Sequence, residues 1–292
     1  MQKIDKSSVV LILVLVLIAA VTGLYYRTQE SAIEYVTIRG DSAVFQGSGL
    51  YRYDQASLAR EAMIWDAINL LVAVPLLVTG IFMSSRKSLR GRLLLAGMLS
   101  YFFYVYLMYA TMMAFNPLFL VYVAIFALSI VGLMVNLSRI DVAGLPQRFG
   151  AHFPIRIFTG YMVLMAPMLI VLWVGRIIPM SLNNNFPPEL AGVSTLESQA
   201  LDLGLIVPLA LSAAVLLWRR SPWGYLLAGI GVMHGFMMFI SIPAWIVVPL
   251  IQDGSVNAVE AIPFMTLCFV GLLLAAWFYK KVLPDPVTSA AL

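Results

Sequence analysis

Eight stretches of this chain are each apolar over a length that could cross a bilayer, and that leaves few folds open to it. A hydrocarbon core of about 30 Å takes roughly 20 apolar residues of helix. Inside it every backbone N–H and C=O must be paired within its own segment or with a closed barrel, so apolar runs of this length read as helices. The runs fall at Ser8–Tyr26, Leu58–Met83, Leu93–Ala114, Pro117–Leu137, Ile157–Met180, Ala200–Trp218, Trp223–Leu250 and Val259–Tyr279. Composition agrees: 62% of the 292 residues are hydrophobic and 11% are charged, where soluble domains carry about 25% charged. The sequence therefore predicts an all-α integral membrane protein with eight transmembrane helices in contact with the lipid bilayer.

Charge gives the expected orientation. With a cytoplasmic N terminus, Lys3, Lys6, Arg86, Lys87, Arg90, Arg92, Arg139, Arg148, Arg156, Arg219, Arg220, Lys280 and Lys281 share one side, while Arg27, Arg39, Arg52, Arg60 and Arg176 belong to the other. This is the positive-inside pattern, and it predicts both termini in the cytoplasm. It also accounts for the formal net charge of +4 without a nucleic-acid partner. The basic start followed by about eighteen apolar residues reads as a retained anchor in preference to a cleaved signal peptide. The single cysteine, Cys268, excludes an internal disulfide and a cysteine-based metal cluster.

Two hairpins repeat one another. Pro75 is followed by Arg86-Lys87 and then Leu94-Leu95-Ala96-Gly97; Pro208 is followed at the same interval by Arg219-Arg220 and then Leu226-Leu227-Ala228-Gly229, with one residue inserted in the first basic turn. The expected layout is two parallel four-helix halves arising from internal duplication. Residues 1–27 form the anchor helix, 28–57 an extracytoplasmic cap, 58–137 the first three-helix repeat and 138–156 a cytoplasmic linker. The fifth helix and an outer loop occupy 157–199, the second repeat 200–281, and a cytoplasmic tail 282–292. Within the cap, strand-forming residues on either side of Arg39-Gly40-Asp41-Ser42 predict a small β-hairpin. Pro75 and Pro208 should weaken the backbone ladder and bend their helices.

Ionisable residues inside spans are costly, of order 2.5–3.5 kcal/mol even on the lenient insertion scale, and are functional candidates for that reason. Asp66 and Asp202 lie a little beyond Glu61 and Glu197 from the outer entrances of their spans, and His234 falls at a similar depth. The expectation is an outward-facing ligand pocket formed by Asp66, Asn69, Asp202 and His234, floored by Tyr101 and Tyr104. The competing reading is that both acids cap helix entrances and His234 bonds a neighbouring helix. No catalytic residue, metal site or cofactor is expected: no span interior carries a lysine for a Schiff base, His152 and His234 are far apart, and no phosphate-cradling glycine loop is present.

Tyr101 through Leu128, with Asn116-Pro117-Leu118-Phe119-Leu120-Val121-Tyr122-Val123, and Asp202-Leu203-Gly204 with Arg219-Arg220-Ser221-Pro222-Trp223-Gly224-Tyr225-Leu226-Leu227-Ala228-Gly229, resemble an uncharacterised bacterial family of multi-span inner-membrane proteins of about eight helices. The resemblance covers most of the chain from Leu50 onward. It implies the bacterial inner membrane and carries no activity or site residue. Two functions follow from the residues. The first is binding or transport of a small or lipid-like ligand. The second is a sensor or accessory subunit packed against a membrane-protein partner or a second copy of the chain. A membrane enzyme ranks third, because too few nucleophiles and no metal set are visible.

Overall fold

The computed structural model describes residues 2–28, 30–37, 40, 42–150, 152–183, 185, 195–241 and 258–284. Helix α1 (Gln2–Tyr25) leads into a two-stranded antiparallel hairpin, β1 (Ile33–Val36) and β2 (Ser42–Phe45), with Ile33 opposite Phe45. Then come α2 (Ala56–Ile68), α3 (Val74–Ser85), α4 (Leu89–Met112) and α5 (Phe119–Leu137). A short α6 (Leu145–Arg148) interrupts the linker. After it follow α7 (Ile155–Leu182), α8 (Glu197–Leu201), α9 (Val207–Trp218), α10 (Pro222–Phe239) and α11 (Ala258–Lys281). Among the described residues, six helical segments are long and apolar enough to cross a membrane: Ser7–Tyr25, Ala56–Ser85, Leu89–Met112, Phe119–Leu137, Ile155–Leu182 and Glu197–Trp218. The protein is therefore a multi-pass membrane protein. Positions 242–250 of the expected seventh span lie outside the described residues.

Two of these segments are interrupted in the same way. A single π-helical turn, Asn69–Ala73, joins α2 to α3, and another, Asp202–Ile206, joins α8 to α9. Val74 N–H reaches back to Asn69 O, and Val207 N–H to Asp202 O. The cause is the next residue. Pro75 and Pro208 have no N–H, and in a regular helix their rings would strike the carbonyl four residues earlier. Widening the preceding turn relieves that clash. The polar residue that opens each wide turn, Asn69 or Asp202, takes a hydrogen bond from α4.

The basic turns also match. Lys87 and Arg220 take left-handed backbone angles, φ 62° and 55°. Each closes its helix by a paired set of bonds: Lys87 N–H to Ser84 O and Ser88 N–H to Met83 O, against Arg220 N–H to Leu217 O and Ser221 N–H to Leu216 O. Glycine is the usual residue there; a basic side chain stands instead, where the charge asymmetry of a membrane protein favours one. Gly91 abuts Ser84 and Met83, and Gly224 abuts Leu217 and Leu216 in the same manner. The two turns are thus in register without the inserted residue that the leucine pairs had implied, and the offset falls later, within α4 and α10.

Helix α4 lies at the centre, packed on α3, α5 and α10, while α7 packs on α9 and α11 on α10. Its approach to α10 is close: a Cβ on Gly97 would lie 2.5 Å from Met233 Cβ. Helix α1 packs along α5 and α2, so it is a member of the bundle.

The cap is fastened at Asp54. Its Oδ1 accepts the Ala114 N–H at 2.7 Å, its carbonyl accepts the Gln46 N–H at 2.9 Å, and the residue is 4% exposed. Burial pushes the carboxyl up to about 7, against the smaller lowering effect of the Ala114 bond. The folded form therefore holds a proton that the unfolded form releases, and stability falls as pH rises from about 4 to about 7, then levels. Protection of the Ala114 amide against hydrogen exchange is expected to be greater at pH 5 than at pH 8, changing by up to roughly tenfold per pH unit in that window. Asp54→Asn should flatten the profile; an unchanged slope in that variant would assign it elsewhere.

Candidate functional site

The six residues singled out in the sequence are not gathered around one recess. They form two polar groups, both reached from α4. In the first, Asp66 is 0% exposed; its Oδ2 accepts the Tyr51 hydroxyl at 2.6 Å and its Oδ1 the Tyr109 hydroxyl at 3.3 Å. The single Tyr109 proton is shared between this oxygen and Ala62 O, the nearer acceptor at 2.8 Å. Burial, followed by Tyr109 and the Asp66 carboxyl, pushes the Tyr51 hydroxyl well above the tyrosine range, so it stays a donor. Gly23 of α1 closes the site from above: a Cβ there would lie 1.8 Å from Asp66 Oδ2. Asn69, one turn on, accepts the Tyr101 hydroxyl at 2.8 Å. This group is sealed, and Tyr101 is a bonded partner rather than a floor.

The second group is built on Asp202. Its two oxygens accept the Tyr104 hydroxyl at 2.6 Å and the Trp173 indole N–H at 2.8 Å. One carboxyl thus joins the wide turn before α9 to α4 and α7. The Tyr104 ring stands edge-on to His234, with centroids 5.4 Å apart. His234 Nδ1 lies 3.3 Å from Ser100 Oγ, and that hydroxyl donates to Gly97 O at 2.8 Å. Asp202 and His234 therefore both meet Tyr104, while Asp66 and Asn69 bond to tyrosines of their own.

Beside this second group is a cavity of about 270 Å³. It is walled by Phe103 and Tyr104 of α4, Leu133 and Leu137 of α5, Tyr161, Met162 and Met165 of α7, Leu209, Ala210 and Ala213 of α9, and Leu227, Ile230 and His234 of α10. Side-chain polar atoms are few: those of Ser100, Tyr104, Tyr161 and His234. Leu137 ends α5 next to Arg139, and Leu227 lies early in α10 after Arg219 and Arg220. The described lining therefore runs from the level of His234 toward the basic end of the bundle. Two atoms in this wall have no hydrogen-bond partner among the described residues: His234 Nε2 and the Tyr161 hydroxyl. Among the described residues no cluster of His, Cys, Asp and Glu is grouped to hold a metal ion.

Comparison with protein-family models, with curated proteins and with solved structures finds no match for this chain.

Sequence reasoning missed Tyr51, Tyr109, Trp173 and Ser100 as the partners of the chosen residues, and Tyr161 as a polar group in the cavity wall. The spacing of Asp66 from the tyrosine-rich stretch of α4 carried some signal for Tyr109. Nothing in the sequence marked Trp173 or Tyr161, since only tertiary packing brings α7 against α9 and α10.

Proposed function

We propose that this protein binds, and in binding transports, a lipid-like molecule in the cavity between its two halves. The observation that carries the reading is the cavity itself: apolar walls from α4 and α5 on one side and from α7, α9 and α10 on the other, with a few polar groups concentrated near His234. Mostly apolar pockets with a small number of placed polar atoms are the usual form of a small-molecule site. In this reading Tyr104 and His234 touch the ligand, and Asp202 fixes the wall by clamping Tyr104 and Trp173. Asp66, Asn69 and Tyr101 brace the first half.

The layout that accompanies this function has eight spans in two parallel four-helix halves, with both termini on the cytoplasmic side of a bacterial inner membrane. In support, α10 and α11 are helices of 18 and 24 residues. The wide turn before a proline, the left-handed basic turn and the close glycine recur in the same order in each half, and the charge asymmetry supplies the orientation.

Native mass spectrometry of the protein released from membranes tests the function. Bound adducts of lipid-like mass are expected on the native chain. They should be lost in Ala210→Trp, which fills the cavity from α9, while the circular dichroism spectrum stays helical. A bare mass for both chains, with a co-purifying protein instead, would favour an accessory subunit and overturn the ligand reading.

A further inference from the structure

We infer that the cavity selects an apolar molecule that ends in a hydroxyl group. The inference rests on the ligand-binding reading above and adds the chemistry of the ligand's polar end. Proton accounting around His234 carries it. A serine hydroxyl has one proton to give, and that of Ser100 goes to Gly97 O, the shorter of its two contacts at 2.8 Å. Toward His234 Nδ1, at 3.3 Å, Ser100 can then only accept. The imidazole therefore carries its proton on Nδ1, and Nε2 turns a lone pair to its surroundings.

That lone pair has no protein donor among the described residues, and neither does the Tyr161 hydroxyl have a partner. Both residues are 8% exposed, and both border the cavity. The Tyr161 oxygen sits against the backbone of α10 beside His234. A Cβ on Gly235, the residue after His234, would sit 2.7 Å from the Tyr161 oxygen, so only glycine leaves the phenol this position. The wall thus offers an acceptor at His234 and a donor at Tyr161. A buried acceptor left without a donor costs about as much as a lost hydrogen bond, so the ligand that fits must give a proton to Nε2 and accept one from Tyr161. A ketone or quinone can only accept, and an ether likewise. A carboxylate or phosphate brings a full charge, and the described wall residues include no lysine or arginine to meet it. An alcohol meets both needs. The cavity of about 270 Å³ is many times what a single water needs, room for a medium-chain or terpenoid alcohol.

A hydrocarbon photolabel separates the two layers of this reading. The detergent-purified full chain is labelled with a ten-carbon alkane bearing a diazirine, and labelling is mapped to the α7 peptide containing Met162 and Met165. Decan-1-ol, decan-2-one and the methyl ether of decanol are then compared as competitors at equal micellar concentration. Saturable labelling is expected, with the alcohol competing about tenfold better than the ketone or the ether. His234→Phe should remove the preference for alcohol over ketone. Tyr161→Phe should weaken both and leave their ratio intact. Equal competition by all three compounds would overturn the hydroxyl inference while the cavity still binds a chain. Absence of saturable labelling would overturn both. The ranking on the native chain decides the matter even if a variant fails to fold.

Discussion

Asp66→Ala is expected to lower the stability of the bundle by about 2–4 kcal/mol, the sum of a buried hydroxyl left without its acceptor and a small void. Gly23→Ala should cost a similar amount, and the two losses should not add. Tyr51 donates to Asp66 Oδ2 at 2.6 Å, and a Cβ on Gly23 would lie 1.8 Å from that oxygen and 2.7 Å from the Tyr51 oxygen. The new methyl must push the carboxylate off Tyr51, which removes the bond that Asp66→Ala removes. Once residue 66 is alanine, the methyl meets only the end of a tyrosine that has already lost its partner. In that background Gly23→Ala is expected to cost less than about 1 kcal/mol, a coupling well above the error of a double-mutant cycle. Unfolding in detergent by titration with a denaturing surfactant measures it. Additive losses would mean that α1 does not rest on Asp66 as described. Tyr109 gives an internal control: it keeps its 2.8 Å bond to Ala62 O whatever stands at position 66, so Tyr109→Phe should cost only about 1 kcal/mol more.

The same site marks the limit of sequence reading. Run length and charge revealed the long apolar helices, and the strand-turn-strand pattern around Gly40 revealed the cap hairpin, because these depend on neighbours in the chain. Pro75 and Pro208 revealed that the ladder would weaken nearby, and the wide turns stand just before them. Depth put Asp66, Asp202 and His234 at one level, with Tyr101 and Tyr104 as a floor; in the structure Tyr104 bonds Asp202 and stands against His234, while Asp66 bonds Tyr51 and Tyr109. Depth does not give azimuth. Asp66 and Asn69, three residues apart, lie on one face of their helix, yet that face is turned to Tyr51, Tyr109 and Tyr101 and away from α9. Which helices are neighbours depends on side-chain interlocking between segments far apart in sequence. The distribution of apolar residues says little about it here, since lipid and protein interior are equally apolar. Small residues held the missing signal. Gly23 over Asp66, Gly97 against Met233 and Gly235 against Tyr161 mark the places where helices meet closely, and each identifies a contact that the ionisable residues alone left open.

Gly224→Ala is expected to be among the most damaging single-methyl changes in the chain, and Gly91→Ala to match it. A Cβ on Gly224 would lie 2.2 Å from Leu217 N and 2.4 Å from Leu216 C; on Gly91, 2.4 Å from Ser84 N and 2.5 Å from Met83 C. These are backbone atoms, so no rotamer change relieves the clash. Nor can the backbone retreat easily. The carbonyls of Leu216 and Leu217 hold Ser221 and Arg220, and those of Met83 and Ser84 hold Ser88 and Lys87, and these bonds close the turn itself. A cost of about 3 kcal/mol or more is expected, at the upper end of overpacking, with α9 and α10 splayed at the basic end. Gly160 and Gly175 of α7 have nothing within 4 Å of an added Cβ. There alanine should be neutral or stabilising by about 0.5–1 kcal/mol, the ordinary helix preference. Melting temperatures of the four variants in one detergent make the comparison independent of any general effect of replacing glycine. If Gly224→Ala behaved like Gly175→Ala, the close turn would be wrong. If Gly91→Ala and Gly224→Ala differed widely, the two hairpins would not be closed by the same device, and the case for a duplicated bundle would lose its strongest geometric support.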